Sequence, residues 1–259
     1  MKRKVIDYGV KVSQTPILGK IIYQIGKSVQ KKLKLRKEVS INETVIHMET
    51  LSREDTTSIE AQNLLEEINS DSVFYDIGAC KGIYSIAGSN KSPEADIFAF
   101  EPEEENSERI KKLKIINDSN VNIIDKCVGD KDGKVDFYTH KSANGIHTTS
   151  KESLESFSSD NQIKQYEVEM TTVDTLLENE SIPLPTLVKI DVEGAEVDVL
   201  KGARETIKTS KPAILVEYHE DKIGCFNSDL EGLKKILDEL GYQYKFIDDI
   251  HIMARPNEE

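Results

Sequence analysis

Tryptophan is absent from this chain of 259 residues, cysteine occurs only three times, and aromatic residues reach only 6%. The core must therefore be built from Ile, Leu and Val, with a few Phe and Tyr as anchors. Cys80, Cys127 and Cys225 form an odd, widely spaced set without a C-x-x-C pair. That excludes a disulfide framework and a cysteine-based metal site, and it points to reduced thiols in the cytoplasm. Basic charge is also in deficit. A net charge of -13 argues against a general nucleic-acid binder, because neutralising phosphates needs a basic surface. No run approaches the roughly 20 apolar residues that span a bilayer. Lys2-Arg3-Lys4 is followed by Val5, Ile6, Asp7 and Tyr8 rather than by the apolar run of a secretory signal. What is present, 37% hydrophobic and 31% charged residues, is the composition of a soluble globular protein with a real core.

The charge is unevenly spread. Between Met1 and Ser40 only Asp7 and Glu38 oppose a long series of Lys and Arg, an asymmetry that points to an acidic partner surface. Pro16 to Gln30 reads as a helix with Ile17, Leu18, Ile21, Ile22, Ile25 and Val29 on one face and Lys20, Gln24 and Lys27 on the other. Such a helix either packs its apolar face on its own domain or lies on an anionic membrane, which would make the protein membrane-peripheral. Residues 1–42 are expected to be a basic extension and 43–259 a single domain.

From Glu43 onward, short apolar runs alternate with helical stretches. Strands are expected at 43–49, 72–77, 96–101, 121–128, 187–191 and 213–217. Helices are expected at 58–69, with Ile59 turned inward, at 102–117, with Ile110, Leu113 and Ile115 or Ile116 as its apolar side, and as one piece at 195–209. This alternation implies βαβ crossovers and an α/β fold with a mostly parallel, doubly wound sheet. Further strands are expected near 135–138 and 166–173, around a polar stretch, 140–161, that reads as a mobile loop. A last helix, 228–240, closes on Gly241. A hairpin around Asp248-Asp249 would finish the sheet.

The stretch SVFYDIGACKG, Ser72 to Gly82, runs a buried strand into a turn of small residues. Gly78, Ala79 and Gly82 allow a tight turn and close approach of the backbone to a ligand. A plain strand-to-helix turn is the alternative to a cofactor pocket. Glu101 ends the next strand about 20 residues on, where a carboxylate accepts hydrogen bonds from ribose hydroxyls. Asp125, at the polar tail of the third strand, is placed to meet an adenine ring. A dinucleotide site wants G-x-G-x-x-G, but Gly78 and Gly82 stand four apart with Cys80 in the middle place. Asp76 would repel a pyrophosphate and suits a sulfonium or an amino-acid ammonium group, which favours S-adenosylmethionine over NAD.

The string KIDVEGAE, Lys189 to Glu196, together with YDIGACKG, FAFEP at 98–102, VGDKDG at 128–133, TTVDTLL at 171–177 and PAILVE at 212–217, resembles the FkbM family of S-adenosylmethionine-dependent methyltransferases. The resemblance covers about 72–247, with the motifs in family order. It implies a Rossmann-like sheet ending in an antiparallel strand, and methyl transfer to a hydroxyl of a glycan or other polyhydroxylated small molecule. It implies Asp76, Gly78, Gly82 and Glu101 at the cofactor, with Asp125, and Asp191 beside the sulfonium. Cys80 departs from the family, which commonly has Asn there.

A sugar hydroxyl is a weak nucleophile and needs a base or a metal. Asp191 is the first candidate for orienting or deprotonating it. Glu193 either binds substrate or caps the following helix. His219, in VEYHE, is either a base or a structural histidine. Glu217 can join Asp191 in holding a divalent ion, but two carboxylates are a weak signal, and no metal ligand set is assigned. His140 and His147 lie in the polar loop. A nicotinamide-dependent oxidoreductase and a catalytically silent cofactor-binding module are the alternatives to an enzyme that methylates oxygen.

Overall fold

The computed structural model describes residues 37–41, 43–48, 59–140, 147–155, 163–180 and 182–258. The helix expected at 16–30, and with it the choice between membrane and self-docking, lies outside the described residues. Among the described residues no helix is long and apolar enough to cross a membrane.

A hairpin of β1 (Lys37–Ile41) and β2 (Thr44–Met48) precedes α1 (Ile59–Glu67). The first βαβ run is β3 (Val73–Ile77), α2 (Ile83–Lys91), β4 (Asp96–Phe100), α3 (Glu104–Asn117) and β5 (Val121–Ile124). A second group follows: β6 (Cys127–Val128), β7 (Gly133–His140), β8 (His147–Thr148), α4 (Lys151–Glu155), β9 (Ile163–Thr171) and α5 (Val173–Glu180). The parallel pattern resumes with β10 (Leu187–Ile190), α6 (Glu196–Lys201), α7 (Arg204–Ser210) and β11 (Ala213–Glu217). The chain continues through α8 (Glu220–Ile223), α9 (Leu230–Glu239), β12 (Tyr242–Phe246) and β13 (His251–Pro256).

The main sheet has seven strands in the order β12-β13-β11-β10-β3-β4-β5. Neighbours from β11 to β5 are parallel, whereas β13 runs antiparallel to both β11 and β12. Its middle strands are buried on both faces, as a parallel sheet requires. Alternate residues feed two cores. Tyr75, Phe98, Phe100, Ile190, Ile214 and Val216 pack with residues of α5 to α7 and α9. Phe74, Ile97, Ala99, Leu187, Leu215 and Met253 pack with residues of α1 to α3. Each Phe, Ile, Leu, Val or Met among them contributes about 1.5–3 kcal/mol when fully removed from water.

Four local expectations are corrected. The strand expected at 121–128 breaks after Ile124, because the Lys126 N–H turns back to the Ile124 carbonyl (2.9 Å). Cys127 and Val128 then join a separate four-stranded sheet, β6-β9-β7-β8. The helix expected at 195–209 is two helices. Gly202 gives its carbonyl to the Asp174 N–H (3.0 Å), and the Asp174 carboxylate accepts from Thr206 N (2.8 Å) and Glu205 N (3.1 Å) at the start of α7. Side-chain acceptance of these orphan donors is what starts a new helix. Ile59 is exposed; of the two alternatives on α3, Ile116 is half-buried and Ile115 is 80% exposed, beside the buried Ile110 and Leu113. The polar stretch 140–161 contains β8 and α4, while residues 141–146 and 156–162 lie outside the described set.

Candidate functional site

The carboxyl ends of β10, β3 and β4 are stitched together by main-chain hydrogen bonds. Gly78 N and Ala79 N both donate to the Phe100 carbonyl (3.1 Å each), and Asp191 N donates to the Ile77 carbonyl (3.1 Å). Gly78 has φ +80°, and a Cβ there would collide with the Asp191 carbonyl oxygen. Only glycine fits where that backbone comes so close. Cys80 also lies in the left-handed region, at φ +47°. Its N–H donates to Glu101 Oε2 at 2.7 Å, and Glu103 N donates to Oε1 at 2.8 Å.

A cavity of about 610 Å³ runs along these strand ends. Following the strand order, Asp191 and Glu193 line it beyond β10, Gly78 and Cys80 beyond β3, Glu101 beyond β4, and Lys126 to Val128 beyond β5. The second sheet supplies another wall through Val135, Phe137 and Met170. This is the crevice at strand carboxyl ends where open α/β sheets take ligands. Burial raises the Glu101 carboxyl to about 8, against the lowering effect of its two main-chain donors. Burial, with Glu101 and Asp191 beside it, pushes the Cys80 thiol up to about 12, so it is no nucleophile.

Four of the cofactor residues expected from sequence do not line this cavity. Asp76 is fully buried beneath it, bonded to Ser85 Oγ (2.5 Å). Burial raises its pKa, with Lys189 and the Ser85 bond opposing. The ammonium group that bears on it is the protein's own Lys189. Ala79 is buried in the apolar core. Gly82, at φ +71°, precedes α2 and packs beneath Ile110. Asp125 turns outward to Ser107 Oγ and Lys111 (3.2 Å) on α3, leaving Lys126 and Cys127 at the expected adenine end.

At the other end lies a cluster of charges that sequence reading resolved only in part. Lys189, 2% exposed within β10, bonds Asp191 Oδ2 (3.0 Å) and lies 3.9 Å from Glu60. Burial disfavours its charge, but Asp191, Glu60 and Asp76 reverse that and hold it well above the ordinary lysine value. His219 Nδ1 sits 3.1 Å from Glu196 Oε1, while its Nε2 faces Glu217 (3.4 Å), Glu193 (3.6 Å) and Asp191 (3.8 Å). Burial lowers the His219 pKa, but the hydrogen bonds of Glu196 and Glu217 and the charges of Asp191 and Glu193 raise it to about 10. Burial raises Asp191 to about 7, opposed by Lys189 and supported by Glu217. Glu193 pairs with Lys222 rather than capping α6. His140 lies in β7 and His147 in β8.

Lys189, Glu196, Glu60 and His251 complete this cluster, and no motif in the sequence marks them as its members. A lysine inside the run LVKI was the available signal, since a charge on a doubly buried strand demands partners.

A parallel five-strand sheet, an antiparallel strand inserted beside the last one, and a carboxylate over a glycine turn define a Rossmann-like methyltransferase fold. The model of the methyltransferase FkbM domain matches residues 76–244. The chain belongs to the FkbM methyltransferase family. It is 30% identical over 157 residues to hexuronic acid methyltransferase AglP of Haloferax volcanii, covering 60% of this chain. The chain spans 59% of the length of that relative. Its fold is similar to the crystal structure of methyltransferase FkbM from Methylobacillus flagellatus, with a TM-score of 0.50 and 18% identity. That likeness covers 73% of this chain and 44% of the other.

Proposed function

We propose that the protein transfers a methyl group from S-adenosylmethionine to a hydroxyl of an acidic sugar. The observation that carries this reading is one cavity bounded by Glu101 at a fixed position and by Asp191 and Glu193 on the far side of the glycine turn. Each Glu101 oxygen accepts one main-chain N–H and keeps a lone pair for a ribose hydroxyl. The acidic end suits the sulfonium and the acceptor hydroxyl. In the transfer the S–CH3 bond breaks as the O–CH3 bond forms, the sulfonium becomes a neutral thioether, and the hydroxyl proton leaves through the carboxylate cluster to water. Lys126, Lys131 and Lys151 line the cavity alongside six acidic residues, and they are the groups with which an acceptor bearing a carboxylate would pair. The hexuronic acid in the relative's name has that chemistry.

Calorimetry with S-adenosylmethionine, S-adenosylhomocysteine and NAD, followed by labelled-methyl transfer to uronic-acid and neutral glycans, tests the reading. Cofactor binding and label on the uronic-acid glycan, reduced by Asp191→Ala, are expected. Binding of NAD alone overturns it, and tight cofactor binding with no transfer to either glycan leaves a silent binding module.

A further inference from the structure

The geometry points to a site for one divalent transition-metal ion, of the Mn²⁺ class, held by Asp191, Glu217 and His219. This deepens the proposed function, since an ion there can take the acceptor hydroxyl as a further ligand, but binding of the ion itself does not depend on that reading. One oxygen of each carboxylate and one ring nitrogen lie within 4.8 Å of one another. His219 Nε2 is 3.4 Å from Glu217 Oε1 and 3.8 Å from Asp191 Oδ1. These gaps exceed the roughly 2.7–3.2 Å of a good hydrogen bond. They approach the spacing of groups that share an ion at about 2.0–2.2 Å from each.

Each of the three groups is backed from behind. Asp191 Oδ2 is held by Lys189 at 3.0 Å. Glu217 Oε2 faces His251 Nε2 at 3.5 Å, a buried nitrogen that also lies 3.2 Å from Glu60 Oε2. His219 Nδ1 meets Glu196 Oε1 at 3.1 Å, an oxygen also fixed by Gly194 N at 2.9 Å. Glu196 is fully buried and its other oxygen has no hydrogen-bond partner, so the imidazole is its main polar contact. A ring whose Nδ1 is committed to a buried carboxylate turns Nε2 outward, as metal-binding histidines do. Four carboxylates face His219 alongside the ammonium groups of Lys189 and Lys222, and an ion bound at Nε2 would take the place of the ring's second proton. Asp191 is 25% exposed and lines the cavity, giving an ion its entry path. One imidazole with two carboxylates, and open positions for water or substrate, suits a metal of intermediate softness. The neighbouring trio of Glu60, Glu217 and His251 is less suited. Glu60 already accepts the Tyr84 hydroxyl (2.7 Å) and pairs with His251 (3.2 Å).

The test uses the full chain, stripped with chelator and without cofactor, titrated with Mn²⁺. Loss of the free-ion electron paramagnetic resonance signal should show one bound ion, and spin-echo modulation should show a directly coordinated imidazole nitrogen in the unsubstituted protein. His219→Ala should weaken binding at least about tenfold and abolish the nitrogen coupling, and Glu196→Gln, a positioning change, should weaken it by about 10–100-fold. Absence of binding at millimolar Mn²⁺, binding without nitrogen coupling, or coupling that survives His219→Ala overturns the inference. The unsubstituted protein decides the matter even where a variant fails to fold. Cofactor binding without Mn²⁺ binding removes this inference alone, and Mn²⁺ binding without cofactor binding removes only the proposed function.

Discussion

The main-chain N–H of Cys80 reaches across from the turn after β3 to Glu101 Oε2, 2.7 Å away at the end of β4. The left-handed backbone at Cys80, φ +47°, is what points that N–H at the carboxylate. Cys80 thus fixes the group proposed to grip the ribose through its backbone, not its thiol.

The strained φ at position 80 has a direct consequence. Asn tolerates the left-handed region better than Cys. Cys80→Asn should therefore stabilise the fold by about 1 kcal/mol, seen as a rise of about 2–4 °C in Tm. An unchanged or lower Tm in a thermal melt would show that the thiol's packing outweighs the backbone relief.

Glu101 predicts a pH dependence. Its carboxyl is raised to about 8 in the folded protein, whereas an unfolded glutamate titrates near ~4.3. The native state holds this proton more tightly, so its contribution to stability is full below the unfolded value and is lost as pH rises through about 8. Ribose hydroxyls need the ionised form. Affinity for S-adenosylhomocysteine should rise with pH up to that value, by at most about tenfold per unit. Glu101→Gln should weaken binding and flatten the slope, and comparing the two proteins cancels the ligand's own titration. Parallel slopes in calorimetry would contradict the assignment.

Lys189 neutralises buried carboxylates on three elements, Asp76 on β3, Glu60 on α1 and Asp191 after β10. Removing one partner of such a set leaves uncompensated charge, at a cost of about 3–5 kcal/mol. Lys189→Met should lower stability by that amount in urea unfolding. A loss under about 1 kcal/mol would mean the carboxylates simply take up protons.

Asp174 serves α7 from a distance of some thirty residues, through Thr206 and Glu205. Asp174→Ala should cost about 1–2 kcal/mol, the usual effect of losing a helix cap. Hydrogen exchange should rise first at residues 204–207. Uniform loss of protection across the main sheet would point to a wider role.

The main sheet was legible because strands buried on both faces read as unbroken apolar runs, and Gly241 and Asp248-Asp249 mark the last turns. Glu101 was legible by its spacing from the glycine turn. Long-range polar contacts were not. Nothing local distinguishes Asp174 as a cap for another helix, or Asp125 as turned toward α3. The motifs VGDKDG and TTVDTLL stand far apart in sequence, yet Asp132 accepts from the Thr171 and Thr175 hydroxyls (2.8 Å each). They read as family signature, and their visible contact is with each other. The four carboxylates around His219 come from β11, the loop before α6 and the first residue of α6, so only their convergence in space reveals a cluster.

The placement of β13 sets a timetable for synthesis. The strand wedges between β11 and β12, pairing Ile252 with Val216 and with Phe246, and it carries His251 to the back of Glu217. On a ribosome every other strand of the sheet emerges earlier, and the edge of β11 waits unpaired for residues 251–256. A nascent chain can assemble its glycine turn and Glu101 well before then. Its acidic end is completed only by the last strand to appear, so the part of the cavity that would meet the acceptor matures after the part that would hold the cofactor.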